Sequence, residues 1–209
     1  MIKLSHLKRN LPIIFLCLLS YGASLATDRV AHADGWKAGV AKTNITPKES
    51  LWLAGYGSRD RPSDGVISDL WIKALALEDK EGRQSVLVTM DLEEIPKSIS
   101  ERIKTGLSNL YGFSRAQVVL NVSHTHSSPV LEDFGDIYPL DSVQRKRIKT
   151  YTDGFVKKVA DLVRSAMSSK EPVKLYSGNG ITRFQVNRRN NTESKLNSLA
   201  ALEGPNDYA

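Results

Sequence analysis

A strand, a helix and a second strand follow one another in the middle of the chain, and this unit restricts the possible folds most. Residues 85–91 are largely apolar, which predicts a central strand. Apolar residues then recur at helical spacing from Ile99 up to Gly112, and residues 118–122 (VVLNV) predict a second, buried strand. Strands joined by a helix of this length are most simply parallel, with a right-handed crossover. Both strands are therefore expected to end at the same edge of a sheet.

The second strand leads directly into two histidines. His124 and His126 follow it, and residues 127–129 (SSP) stop it. Residues two apart on an extended chain share a face, so the imidazoles can converge on one ion or substrate group. This spacing also fits two ordinary polar loop residues. The chain has four histidines, however, and the other two, His6 and His32, lie in or near a predicted leader, which favours a metal or substrate site at the strand end.

Acidic residues follow both strands of this unit. Asp91 ends the first strand, where it can stand beside the histidines as a ligand or hydrogen-bond partner, or can cap the next helix. Ser98 and Glu101 have the spacing of a capping box, which predicts the start of that helix. The irregular segment 130–140 carries further carboxylates, and a solvated acidic loop is the simpler expectation there.

The other elements complete an α/β fold, a mixed sheet flanked by helices. A turn at 79–82 joins the second and third predicted strands, and Asp141 opens a long helix. Strands are predicted at residues 35–43, 70–78, 173–177 and 181–186, the last two as a hairpin. The apolar stripe of the long helix is Ile148, Tyr151, Phe155, Val159, Leu162 and Ala166.

Two short segments carry further candidate binding residues. Gly55 and Gly57 flank Tyr56, so the backbone there can turn sharply or approach a ligand closely, although an ordinary turn has the same composition. Arg188 and Arg189 follow the predicted hairpin. A guanidinium group suits carboxylates and other oxygen-rich groups, so either arginine could orient a substrate, while exposed surface charge is the simpler interpretation.

Residues 1–26 have the features of a signal peptide. Positive residues precede an apolar core at 11–19 that is too short for a stable membrane anchor, and small residues allow cleavage after Ala26 or as late as Ala33. An uncleaved anchor is the alternative. Cys17, the only cysteine, lies in this core, so the mature protein would have no disulfide or thiolate metal site. We therefore predict a secreted or periplasmic protein.

The charge of the chain gives no indication of nucleic-acid binding. The formal net charge is +6, and removal of the leader with Lys3, Lys8 and Arg9 lowers it to +3. No basic run is interleaved with aromatic residues, as a stacking surface would require. We therefore predict that nucleic acid is not a partner.

Five segments occur in an order far more specific than the histidine pair alone. They are residues 38–47 (AGVAKTNITP), 54–57 (AGYG), the strand ending at Asp91, 123–129 (SHTHSSP) and 186–188 (VNR). Together they resemble the N-terminal part of neutral/alkaline non-lysosomal ceramidases. The resemblance implies a secreted zinc amidase that hydrolyses the amide bond of ceramide to a sphingoid base and a fatty acid. It also implies that residues 35–209 are the N-terminal portion of a larger catalytic domain.

The resemblance assigns roles to four residues. His124 corresponds to the first zinc-binding histidine and His126 to a histidine of the substrate site. Arg188 corresponds to the active-site arginine, and Gly55 to a glycine whose backbone lines the pocket. The remaining zinc ligands of the family, a second histidine, a glutamate and a tyrosine, would lie beyond position 209, so the sequence is expected to be the truncated front of a longer enzyme.

One departure and two alternatives accompany this resemblance. The family usually has glycine where this chain has Ser128, which we expect to alter the loop without touching the ligands. A lipid-like substrate and transient contact with a membrane surface are also expected. The motifs fix the metal site better than the lipid pocket, so a related exported hydrolase with another amide or ester substrate is one alternative. An inactive, truncated remnant is the other.

Overall fold

Two long helices pack on a five-stranded mixed sheet in the computed structural model, which describes residues 31–180. The strands are β1 (Ala31–Asn44), β2 (Trp71–Glu78), β3 (Gln84–Met90), β4 (Val118–Val122) and β5 (Glu171–Ser177). The helices are α1 (Lys97–Tyr111) and α2 (Ser142–Ser168), and a short 3₁₀ turn at Arg115–Gln117 precedes β4. The predicted α/β fold class is confirmed. The predicted strand at 181–186 lies outside the described residues.

The sheet order β4-β3-β2-β1-β5 places the strand, helix and strand unit at one end of the sheet. β3 and β4 are parallel, with Val86 opposite Val118, whereas the other neighbouring strands are antiparallel. This confirms the predicted parallel crossover. β4 is the edge strand, however, and Val119 is 51% exposed, so the prediction that this strand is buried was wrong.

Both helices bury apolar residues in one shared core on the sheet. The hydroxyl of Tyr151 in α2 donates to the Ile45 carbonyl at 2.7 Å, and burial raises the pKa of Tyr151, which keeps the hydroxyl protonated. Leu110 is one of the apolar residues that recur at helical spacing between Ile99 and Gly112, but it is 50% exposed. The core contains Ile72, Ala74, Ala76, Val86, Val88, Met90, Ile99, Ile103, Leu107, Phe155, Val159, Leu162 and Ala166.

Within residues 31–180 neither helix is long and apolar enough to cross a membrane.

The two helices begin in different ways. α1 starts at Lys97, directly after Pro96, and no side chain caps it. The predicted capping box was wrong, because Ser98 already lies in the first turn of the helix. Asp141 does cap α2, since its side chain accepts a backbone N–H of the first turn at 2.7 Å. α1 ends at Tyr111 and is capped by Gly112, whose φ of 71° is in the left-handed region that favours glycine.

Candidate metal centre

Three loops meet where β3 and β4 end. They are residues 91–95 after β3, residues 123–129 after β4, and residues 51–59, which run beside the second loop. The backbone N–H of Ala54 donates to the carbonyl of Ser128 at 2.9 Å and ties the last two loops together. A small separate core lies beneath these loops and anchors them, and it consists of Leu51, Trp52, Ala54, Val130, Tyr138 and Ile148.

His124 leaves the sheet through a turn. The backbone N–H of Ser123 still donates to the Met90 carbonyl at 3.0 Å, which continues the pairing of β4 with β3. His124 then has a φ of 57°, which is uncommon for a residue other than glycine. The two histidines converge as predicted, with ring centroids 5.0 Å apart. The turn brings them together, however, and not the alternation of an extended chain.

The imidazole rings present nitrogen atoms to a common space. His124 Nε2 and His126 Nε2 lie 3.5 Å apart, and His124 Nδ1 lies 2.9 Å from the Glu93 carbonyl oxygen. A carbonyl only accepts, so the proton is on Nδ1 and the neutral ring has its lone pair on Nε2. Two nitrogen ligands of a tetrahedral zinc ion are about 3.4 Å apart, given zinc–nitrogen bonds of about 2.05 Å. The space therefore fits an ion on His124 Nε2, with His126 Nε2 within reach of that ion or of a molecule bound to it.

Glu93 is the carboxylate that joins the histidines. Its Oε1 lies 3.7 Å from His124 Nδ1, and Glu93, His124 and His126 each offer one ligand atom within 4.8 Å of the others. Within the described range 31–180, no second group of three or more such residues is found. The Glu93 side chain is 12% exposed, against 67% for His124, and its Oε2 is buried without a hydrogen-bond partner among the described residues.

Asp91 is not part of this group. Its Oδ2 accepts the backbone N–H of Trp71 at 2.9 Å, and its own N–H donates to the Trp71 carbonyl at 2.9 Å. The residue therefore extends the pairing of β2 with β3, and both roles predicted for it, beside the histidines or at the helix start, were wrong. Glu93 takes the place expected for Asp91. The sequence offers Asp91, Glu93 and Glu94 after the strand, and its pattern does not distinguish them.

The acidic loop 130–140 makes ion pairs with the helices instead. Glu132 lies 3.4 Å from Arg102 of α1 and 3.7 Å from Lys149 of α2. None of its carboxylates joins the histidine group in the part of the chain that the structure describes. This agrees with the prediction of a solvated acidic loop.

The loop 51–59 holds His126 from the other side. Gly55 has a φ of +102°, and a Cβ atom there would lie 2.3 Å from His126 Cγ. The Tyr56 ring packs edge-on against His126 at 4.7 Å between centroids. Arg59 lies 5.3 Å over the Tyr56 ring, and its Nη2 donates to the His126 carbonyl at 2.5 Å. Gly55 thus lies against His126, and its role in lining a substrate pocket stays a prediction. The contacts of Tyr56 and Arg59 were not predicted.

Ser128 connects all three loops. It is fully buried, and its Oγ accepts the backbone N–H of Glu93 at 2.9 Å while its carbonyl accepts Ala54. Ser128, where the resemblance leads us to expect glycine, therefore holds the backbone of Glu93 in place without itself belonging to the histidine group. Arg188, the fourth residue predicted for the site, lies outside the described residues.

A cleft of about 710 Å³ lies on the other side of the histidine loop. Thr125 and Ser127 line it, whereas His124 and His126 do not. Its wall also includes Leu53, Pro129, Asp91 and the segment 63–70. Successive residues of the loop thus divide between the candidate metal centre and this cleft.

These features define an α/β protein with a candidate Glu/His metal centre at the edge of its sheet. The family model described as neutral/alkaline non-lysosomal ceramidase, N-terminal, matches residues 36–195. The chain belongs to this family, as its sequence motifs predicted.

Two solved structures have a similar fold. The neutral ceramidase from Pseudomonas aeruginosa matches with a TM-score of 0.54 and 24% sequence identity over 67% of this chain. A ceramidase complexed with C2 matches with a TM-score of 0.54 and 22% identity, also over 67% of this chain. The match spans 22% of each of those two chains. Identity at this level shows the shared fold.

Proposed function

We propose that this chain is the front portion of an exported, zinc-dependent hydrolase that cleaves the amide bond of ceramide into a sphingoid base and a fatty acid. The observation that carries the proposal is the 3.5 Å approach of His124 Nε2 to His126 Nε2 in a member of the ceramidase family. The chain spans only 22% of the two solved ceramidases, so the activity is proposed for the complete gene product. The leader at residues 1–26 supports export.

The described residues suggest how the site would operate. His124 would hold the metal through Nε2, because its Nδ1 proton is bound to the Glu93 carbonyl. Zinc, when bound, lowers the pKa of a coordinated water and polarises the amide carbonyl. His126 Nε2 faces the same space and would accept or return a proton at that atom. Gly55 leaves room beside His126. By the family resemblance alone, since Arg188 lies outside the described residues, this arginine would orient oxygen atoms of the substrate.

The test uses the complete gene product, recovered from the periplasm or the medium with its leader removed. We expect bound zinc by metal analysis and release of fatty acid from ceramide. His124→Ala is expected to lose the zinc, and its kcat/KM should fall by at least about 100-fold. Even the loss of a group that only hydrogen-bonds to a metal ligand lowers metal affinity or activity about 10–100-fold. A metal-free and inactive complete protein would contradict the proposal. Cleavage of another amide or an ester, with ceramide inert, would favour the alternative substrate.

Two exposed aliphatic side chains support contact with a lipid surface. Val66 and Ile67 line the cleft and are 60% and 106% exposed. Neighbouring exposed apolar groups that form a continuous patch can mark contact with an apolar partner. We propose that they touch the membrane or micelle that supplies ceramide.

Replacing both residues with serine is therefore expected to weaken binding to ceramide-containing phosphatidylcholine vesicles by at least about tenfold, because full burial of even one aliphatic side chain is worth about 1.5–3 kcal/mol and about 1.4 kcal/mol is tenfold in affinity. Vesicle sedimentation measures this binding, and hydrolysis of a water-soluble short-chain substrate should be unchanged. Val143→Ser is the matched control, since Val143 is 55% exposed on α2 and does not line the cleft. Equal losses in the two variants, or no loss in either, would exclude a specific contact.

A further inference from the structure

Glu93 has contacts that suit a role in the metal centre. We propose that its carboxylate is a positioning group that strengthens the binding of a divalent cation to His124 Nε2. The inference rests on the proposed function, because it requires a metal ion on this histidine. The family resemblance assigned His124 to the metal site, and the proposal assigns Glu93 to it as well.

Glu93 contacts His124 at two points. Its carbonyl oxygen accepts the Nδ1 proton at 2.9 Å, and its Oε1 lies 3.7 Å from the same nitrogen. The first contact fixes the ring orientation and the tautomer. The second places negative charge beside the ring on the side away from Nε2. A carboxylate in this position makes the opposite ring nitrogen a better donor to a cation, as in other carboxylate–histidine–metal arrangements.

The surroundings of the Glu93 carboxylate increase the effect of its charge. The side chain is only 12% exposed, so water screens the charge weakly. His124 is the only histidine, lysine or arginine of residues 31–180 within 4.0 Å of this carboxylate, and Oε2 has no hydrogen-bond partner in the same range. A poorly solvated carboxylate with one oxygen atom that accepts no hydrogen bond is costly. A cation bound at the histidines would offset part of this cost.

The backbone of Glu93 is held independently of its side chain. Ser128 Oγ accepts the Glu93 N–H at 2.9 Å, and Ser128 is fully buried. The Glu93 carbonyl is bound to His124. A substitution that changes only the carboxylate therefore leaves both backbone contacts in place, and its effect on metal binding reports the charge.

The test compares zinc binding by the complete gene product with binding by its Glu93→Gln variant, using competition with a chromophoric chelator. Glutamine keeps the shape of the side chain and removes the charge. We expect the Kd for zinc to rise about 10–100-fold, while the melting temperature of the metal-free protein does not fall, because the substitution removes a poorly solvated charge. Glu94→Gln is the matched control, because Glu94 is exposed, and its Kd should equal that of the parent. An unchanged Kd in Glu93→Gln would overturn the inference.

Two further measurements separate this inference from its alternatives. The absorption spectrum of the Co²⁺-substituted protein should keep its intensity in Glu93→Gln, because a positioning group does not change the coordination number. A changed coordination number would make Glu93 a direct ligand and overturn the positioning role. If His124→Ala binds zinc as tightly as the parent, the proposed function itself fails. If His124→Ala loses zinc and Glu93→Gln keeps its affinity, only the role of Glu93 fails.

Discussion

Replacing Gly55 with alanine is expected to lower kcat/KM of the complete enzyme by at least about 100-fold, because displacing a catalytic group by about 1 Å costs this much. The new Cβ would lie 2.3 Å from His126 Cγ and 2.6 Å from His126 Cδ2, so the ring must move. Tyr56 packs against the ring and Arg59 holds the His126 backbone, which limits where the ring can go. The φ of +102° at Gly55 adds strain for any side chain.

Gly57→Ala is the control for this experiment. A Cβ at Gly57 would meet only Ile137 Cγ2, at the ordinary contact distance of 3.9 Å, so kcat/KM should stay within about twofold of the parent value. Steady-state hydrolysis of ceramide measures both variants. Full activity in Gly55→Ala would show that the position of His126 does not matter for the reaction.

Gly39→Ala is expected to have the largest effect on stability. Gly39 lies in β1 against the C-terminal end of α2, and a Cβ there would lie 2.0 Å from the Ala166 carbonyl oxygen and 2.8 Å from the Lys170 nitrogen. Both are backbone atoms, so the helix must shift away from the sheet. We expect the free energy of unfolding to fall by about 3 kcal/mol or more. Thermal unfolding of the 209-residue chain should then show a melting temperature lower by roughly 6–12 °C.

Gly154→Ala provides the matched control, because Gly154 lies in α2, the helix that Gly39 contacts. A Cβ at Gly154 meets nothing within 4 Å. Alanine favours the helix over glycine by about 1 kcal/mol, so this variant should melt at a slightly higher temperature than the parent. Equal melting temperatures for Gly39→Ala and the parent would show that β1 and α2 do not pack as closely as the structure indicates.

Local patterns predicted the order of the elements well, but they did not predict which strand lies at the edge. β3, α1 and β4 each have a periodicity and a length that allow one main interpretation. The exposed Val119 of β4 lies opposite Leu87, which lies opposite Leu75 and then Val40, in an apolar row across the sheet. Hydrophobicity alone cannot distinguish such a row from a core, because it does not reveal what covers each face.

Some residues of the candidate site can be recognised from local sequence, whereas others are placed only by tertiary contacts. His124 and His126 could be singled out because they are close in sequence and follow a strand. Glu93 could not, because its approach to His124 depends on how the chain leaves β3 and on the hydrogen bond from its N–H to Ser128. The φ of 57° at His124 could not be predicted either, because residues other than glycine adopt a positive φ only uncommonly.

X-ray diffraction at the zinc absorption edge, from crystals of the complete gene product, would locate the metal directly. We predict an anomalous peak about 2.0–2.1 Å from His124 Nε2, with His124 Nδ1 still bound to the Glu93 carbonyl. A zinc ion bound elsewhere, with His124 Nε2 outside its coordination sphere, would contradict the assignment of this site.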